Sequence, residues 1–136
     1  MSDNSHLKGM VAPMRKGLGF RHAIRGFIVA VGQELNMKVH VFAVVVVTMA
    51  GILGSLERWA WAAVIISYAL VIVSELFNTA IERICDKITN EICPTIKDIK
   101  DIAASAVFFS ALISVGVAAL VFARHEVWEQ WMRFFV

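Results

Sequence analysis

The stretch Glu75-Leu76-Phe77-Asn78-Thr79-Ala80-Ile81-Glu82-Arg83-Ile84-Cys85-Asp86 follows directly on a run from Trp59 to Ser74 that contains no charged residue. At about 100° per residue, Glu75, Asn78, Thr79, Glu82 and Asp86 fall within roughly one third of a helix circumference. Leu76, Ile81, Ile84, Cys85 and Ile88 are read as the other, apolar side. Nothing breaks a helix at Ser74, so one helix is predicted over 59–90, with a stripe of oxygen-bearing side chains starting where its apolar run stops. An ionisable group at membrane depth is costly, needs a cation, a metal or water beside it, and is functional by default. Glu82 and Asp86 could instead form a solvated face paired with Arg83 or Lys87. That reading fits Glu75 poorly, because no cation stands one turn from it in the sequence.

Outward from this stretch the chain alternates uncharged runs with short charged segments. Val39 to Leu56 has no Asp, Glu, Lys or Arg, and its roughly 18 residues are near the short end of a helical membrane span. Ile102 to Ala123 is a third such run, preceded by Cys93-Pro94 and by Thr95 and Asp98 at the spacing of a capping box. Membrane helices are therefore expected at 39–56, 59–90 and 95–123. Upstream, Phe20, Ile24, Phe27, Ile28 and Val31 recur at helical spacing, opposite Arg15, Lys16, Arg21 and Arg25. This predicts an amphipathic helix over 13–33 that lies in the headgroup layer or packs on partner helices. Trp59, Trp61, Trp128 and Trp131 stand where interfacial aromatics belong.

The 136 residues make one expected membrane domain, 1–136, of all-α class. The chain is 59% hydrophobic, with a mean hydropathy of +0.72, more apolar side chain than so short a soluble fold could hide. A net charge of +2 gives no reason to expect a nucleic-acid partner. No cleavable signal peptide is expected, since the first residues are polar. Cys85 and Cys93 lack zinc-ligand spacing and read as free thiols. Lys and Arg are concentrated before the first span and between the second and third. The amino terminus is thus expected in the cytoplasm and the carboxyl terminus outside.

Carboxylates and a carboxamide are hard oxygen ligands, suited to Mg²⁺ rather than to zinc or copper. A carboxylate in apolar surroundings has its pKa raised and can act as a general base. Glu34, at the end of the amphipathic helix, could add a ligand from another direction. Lys100 and Asp101 stand near a helix start, a place suited to anions, although Lys100 could equally be a snorkelling anchor. The common phosphate-binding loop, the protein-kinase signatures and the usual hydrolase motifs are all missing from the sequence.

The pattern Glu75-x-x-Asn78-Thr79-Ala80-Ile81-Glu82-x-x-x-Asp86, followed by Lys100-Asp101-Ile-Ala-Ala-Ser105-Ala-Val, resembles the small prokaryotic diacylglycerol kinases, a family that includes undecaprenol kinases. The resemblance runs from about Arg15 to Phe122. It implies that Glu75 is the base that deprotonates the lipid hydroxyl, and that Glu34 and Glu82 hold Mg²⁺ against ATP. It implies supporting roles for Asn78 and Thr79. It implies nucleotide contacts from Arg15, Glu34, Glu82, Asp86, Glu91, Lys100 and Asp101, and lipid contacts from Arg15 and Glu75. It also implies a homotrimer with sites between protomers. Cys93 replaces a frequent histidine, Thr89 replaces a frequent small residue, and Asn36-Met-Lys-Val-His40 is closer to the undecaprenol kinase branch.

The expected function is therefore ATP- and Mg²⁺-dependent phosphorylation of a lipid in the cytoplasmic membrane, diacylglycerol to phosphatidic acid, or alternatively undecaprenol to undecaprenyl phosphate. A small proton- or cation-coupled transporter is the rival of another class. Transporter sites lie near the bilayer midplane, whereas this stripe begins at the end of its span.

Overall fold

A computed structural model of the chain describes residues 19–89, 91, 93–123 and 132–133. In chain order the helices are α1 (Gly19–Gln33), α2 (Leu35–Leu53), α3 (Arg58–Ile88) and α4 (Pro94–Phe122). Among the described residues there is no strand. Helices α2, α3 and α4 are each long and apolar enough to cross a membrane. The protein is an all-α membrane helix bundle.

The lengths place the charged stripe. Helix α3 has 31 residues, which rise about 46 Å against roughly 30 Å of hydrocarbon. If its first residues start at one membrane face, Glu75 falls near the other and the turns carrying Glu82 and Asp86 stand beyond it. Helix α1 leaves Phe20, Ile24, Phe27 and Ile28 exposed, as a helix in the headgroup layer does. Its predicted beginning, Pro13 to Leu18 with Arg15, and the tryptophans Trp128 and Trp131 lie outside the described residues.

Lipid tails are as apolar as leucine, so burial alone does not drive these helices together; close approach at small residues and hydrogen bonds do. On α3 the buried positions run Ala60, Val64, Ser67, Val71, Glu75 and Asn78. On α4 they run Ala103, Val107 and Ser110, then half-buried Ser114 and Val117, then Val121. Both series alternate steps of mostly three and four residues, the spacing of two helices packed along a seam. Ser74 and Ser110 hydroxyls meet at 2.8 Å, and Ser114 Oγ donates to the Ser67 carbonyl at 3.1 Å. Glu75 is therefore a continuation of the packing seam, the one carboxylate in a line of small and apolar side chains.

At the far end of the bundle Leu56, Ala60, Val64 and Val121 form an apolar cluster, with Trp61 and Phe122 packed on it. Gly51 is required there. A Cβ on it would stand 2.9 Å from Leu56 Cδ1 and 2.9 Å from Trp61 Cη2. Trp61 is thus a packing residue, while Trp59 keeps the exposed position expected of an interfacial ring. The turn after α2 puts Ser55, not a glycine, at φ 47°.

Three local expectations change. Helix α2 begins at Leu35 rather than Val39, because Leu35-Asn-Met-Lys38 are compatible with a helix and only Glu34 (φ −100°, ψ 126°) is extended between α1 and α2. Helix α4 begins at Pro94 with Cys93 as its N-cap residue and no side-chain cap hydrogen bond. Thr95 falls inside the first turn and does not form the capping box, since Pro94 already supplies a preset φ and lacks the N–H a cap would satisfy. Cys85 is buried, not on the apolar outer face, because it stands two turns beyond Asn78 on the same side.

Candidate functional site

Glu75, Asn78 and Thr79 occupy adjacent turns of α3, and all three are buried, Glu75 to 1% exposure. Glu75 Oε2, Asn78 Oδ1 and Thr79 Oγ1 have no hydrogen-bond partner among the described residues. Buried polar atoms are nearly always paired. Three orphans within two turns mark a place built to receive something from outside the chain: a metal, water, substrate or another protomer.

Charged groups surround this patch. Asn78 Nδ2 donates to Glu82 Oε1 at 3.2 Å. Glu34, the single extended residue between α1 and α2, accepts from Arg83 Nη2 at 3.3 Å, and the same nitrogen donates to Gln33 Oε1 at 2.8 Å. Asn78 thus holds Glu82 from within α3, and Arg83 ties Glu34 to the same helix. Arg83 pairs across the fold with Glu34 and not with Glu82. A local pair would need the two side chains to meet from consecutive positions, which do not face each other on a helix.

On the α3–α4 side Lys100 Nζ donates to Asp86 Oδ1, and Lys97 Nζ donates to Asp101 Oδ2 one turn along α4. The Glu91 amide donates to Thr89 Oγ1 at 3.0 Å. Asp86, Thr89, Glu91, Cys93, Lys97, Lys100 and Asp101 border a cavity of about 350 Å³. The structure therefore gathers Asp86, Glu91, Lys100 and Asp101 around one polar hollow, beside the patch that holds Glu75, Asn78, Thr79 and Glu82. Arg15 lies outside the described residues.

A second cavity, of about 150 Å³, continues along the bundle from the Glu75 face. It is bordered by His40, Val44, Val64, Ser67, Tyr68 and Val71, among other residues. Val71 is one turn before Glu75 and Val64 two turns before Val71, so the cavity and the carboxylate share one side of α3. Tyr68 and Thr48 hydroxyls lie 3.3 Å apart nearby.

The prokaryotic diacylglycerol kinase model matches residues 21–122, most of the chain. The chain belongs to the prokaryotic diacylglycerol kinase family. It is 36% identical over 103 residues to the undecaprenol kinase of Bacillus subtilis (strain 168), an alignment covering 76% of this chain and 84% of that protein. It is 33% identical over 119 residues to the diacylglycerol kinase of Synechocystis sp. (strain ATCC 27184 / PCC 6803 / Kazusa), covering 80% of this chain and 68% of that protein. This member of the family is a lipid kinase of the membrane, which uses ATP, and the transport reading is not favoured.

The donor set of the kinase bears on the metal that family members use. No group of three or more His, Cys, Asp or Glu among the described residues is arranged to hold an ion, so the kinase offers no complete cage. Mg²⁺ does not need one: it keeps several waters and is commonly bound by one or two carboxylates plus phosphate oxygens. Glu34 and Glu82 each use one oxygen in the contacts above and have a second to offer, which fits that mode.

Sequence reasoning misses one member of this arrangement. By spacing, Arg83 reads only as a local partner of the carboxylates on its own helix. Its tie to Gln33 and Glu34 spans 50 and 49 residues, and no spacing rule reaches that far.

Proposed function

We propose that the kinase transfers the γ-phosphoryl group of ATP to the hydroxyl of diacylglycerol, giving phosphatidic acid and ADP. The observation that carries this reading is Glu75: a carboxylate buried on a helix seam, one oxygen unpartnered, on the stretch of α3 between Val71, which borders an apolar cavity, and Asp86, which borders a polar one. The apolar cavity bordered by Val64, Tyr68 and Val71 suits hydrocarbon. The polar cavity bordered by Asp86, Glu91 and Lys100 suits a nucleotide. Glu75 stands between the two, where a lipid hydroxyl and a terminal phosphate would meet.

In this mechanism Glu75 accepts the hydroxyl proton as the lipid oxygen bonds to the γ-phosphorus. The bond from that phosphorus to its bridging oxygen breaks, and ADP leaves. Asn78 holds Glu82 by its Nδ2, and Arg83 holds Glu34, so both carboxylates are oriented before the nucleotide arrives. Lys100 and Asp101, with Asp86 and Glu91, position the nucleotide, and Thr79 supports the buried patch. Arg15 contacts nucleotide and lipid. Glu34 and Glu82 would hold Mg²⁺, which would supply neutralisation of phosphate charge. Positioning and electrostatics are what phosphoryl transfer mainly requires.

The amino terminus and the α3–α4 loop are placed in the cytoplasm, the source of ATP, and the carboxyl terminus outside, from the distribution of Lys and Arg. The assembly is a homotrimer. The outward apolar side chains of all three spans and the unpartnered oxygens of Glu75 and Asn78 suit a site completed by a neighbouring copy.

Undecaprenol is the second reading for the acceptor. It is favoured by His40 and its neighbours Asn36 to Val39, and by the similarity to the undecaprenol kinase. Both lipids present one hydroxyl on a long apolar body. ATP turnover by the purified protein in mixed micelles with Mg²⁺, offered each lipid separately, decides between them. Turnover with diacylglycerol that vanishes in Glu75→Gln supports the proposal; turnover with undecaprenol alone replaces the acceptor; turnover with neither sinks both.

A further inference from the structure

The apolar cavity of about 150 Å³ has two different ends. His40 of α2 and Val71 of α3 border it on the side of Glu75. Val47, Val64, Tyr68 and Val117 border it too, and these four also take part in the apolar cluster at the far end of the bundle. They form its floor. Val64 lies seven residues before Val71 on one helix, so the cavity extends about 10 Å along α3, well short of the roughly 30 Å hydrocarbon layer. Tyr68 is the largest side chain of the floor. Its hydroxyl reaches across to α2 and meets Thr48 Oγ1 at 3.3 Å. A tyrosine hydroxyl in apolar surroundings depends on such a partner, so the contact holds the ring across the gap between α2 and α3. Thr48 itself is not among the residues bordering the cavity.

We propose that Tyr68 is a specificity-determining residue for the acceptor lipid: its ring, pinned by Thr48, limits the cavity to a straight hydrocarbon chain and disfavours a methyl-branched one. The inference rests on the proposed lipid kinase activity, with the acceptor's hydrocarbon in this cavity. A cavity of this size takes a body about as large as benzene. It therefore holds the first stretch of one chain, and the remainder of the lipid stays in the bilayer. Val44, Val47, Val64 and Val71 line it, and β-branched side chains are stiff at χ1, so the walls do not withdraw. A methyl branch must then displace the Tyr68 ring, which the Thr48 contact opposes. In apolar pockets one carbon more or less changes kcat/KM by about 10- to 200-fold. Thr48 is a positioning residue, because it touches the ring hydroxyl and not the lipid. The same selection separates fatty acyl chains from polyprenyl chains, which carry a methyl on every unit.

The test compares dipalmitoylglycerol with diphytanoylglycerol, which share the hydroxyl, the esters and the main-chain length and differ in methyl branches. In mixed micelles the full chain is expected to show a kcat/KM at least about tenfold higher for the straight lipid. Tyr68→Leu is expected to bring the ratio close to one. Thr48→Val, nearly the same shape without the hydroxyl, is expected to lower the ratio in the same direction and guards against a folding defect in the first variant. Equal kcat/KM for the two lipids in the unaltered protein overturns the proposal, as does a ratio that neither variant changes. A second readout needs no turnover. Tyr68 is the single tyrosine of the chain, so 3-fluorotyrosine gives one fluorine resonance that reports this ring alone. Without ATP, dipalmitoylglycerol is expected to shift it and diphytanoylglycerol to leave it in place, and Thr48→Val to shift it before any lipid is added. A resonance that neither lipid moves overturns the proposal, since the chain then does not reach Tyr68. If turnover is absent with both lipids while the resonance still tells them apart, the kinase reading fails but the selectivity of the cavity stands.

Discussion

Asn78 gives its carboxamide N–H to Glu82 across 3.2 Å and keeps its own Oδ1 buried and unpartnered. One end of the side chain fixes a carboxylate, and the other points an acceptor into the patch that holds Glu75. Removing the side chain therefore loosens Glu82 without touching its charge. With Glu82 as the proposed metal ligand, Asn78→Ala is expected to lower metal affinity or turnover by about 10- to 100-fold, the usual cost of removing a group that orients such a ligand. Turnover at graded Mg²⁺ checks this, and an unchanged Mg²⁺ dependence would show that the contact is merely structural.

Glu75→Gln preserves shape and removes the proposed base. A positioned general base contributes about 10²- to 10⁴-fold, so turnover should fall by at least the lower figure. Helical content and oligomeric size in detergent should stay at wild-type values. Substantial residual activity would remove Glu75 from its assigned role.

Glu82→Gln keeps the hydrogen bond to Asn78 possible but halves the oxygen donors and cancels the charge. The Mg²⁺ concentration for half-maximal rate should rise about tenfold or more, with recovery of rate at high Mg²⁺. A proportional loss of rate at every Mg²⁺ concentration would point to a role other than metal binding.

Gly51→Ala tests the fold rather than the chemistry. Its Cβ would meet the Trp61 ring and Leu56 at 2.9 Å each, and overpacking of this kind costs about 1–3 kcal/mol. The thermal midpoint in detergent should fall, while the half-saturating Mg²⁺ concentration of the folded fraction should not move, because Gly51 lies at the opposite end of the bundle from Glu75.

The helices are legible in the sequence because uncharged runs of spanning length admit few other readings. Boundaries are less legible. Leu35 to Lys38 suit linker or helix alike, and only the single extended residue at Glu34 shows that one helix ends and the next begins at once. The stripe from Glu75 to Asp86 follows from helical periodicity, a local property. What periodicity cannot give is the contact of Arg83 with Glu34 or of Lys100 with Asp86, since each depends on how two helices are laid side by side. Cys85 shows the limit within a single helix: by type it belongs to an apolar face, yet it is buried on the side of Asn78. The cavities are invisible in the sequence altogether, because they are defined by what neighbouring helices fail to fill.

The joint at Glu34 carries a mechanical consequence. Helices α1 and α2 share one extended residue and no slack, and that residue is itself a proposed metal ligand held by Arg83. A float lying in the headgroups and a post crossing the hydrocarbon are therefore coupled like two rods at a pin, with the carboxylate mounted on the pin. The backbone at Glu34 thus fixes the angle between float and post and the aim of the carboxylate in one and the same place.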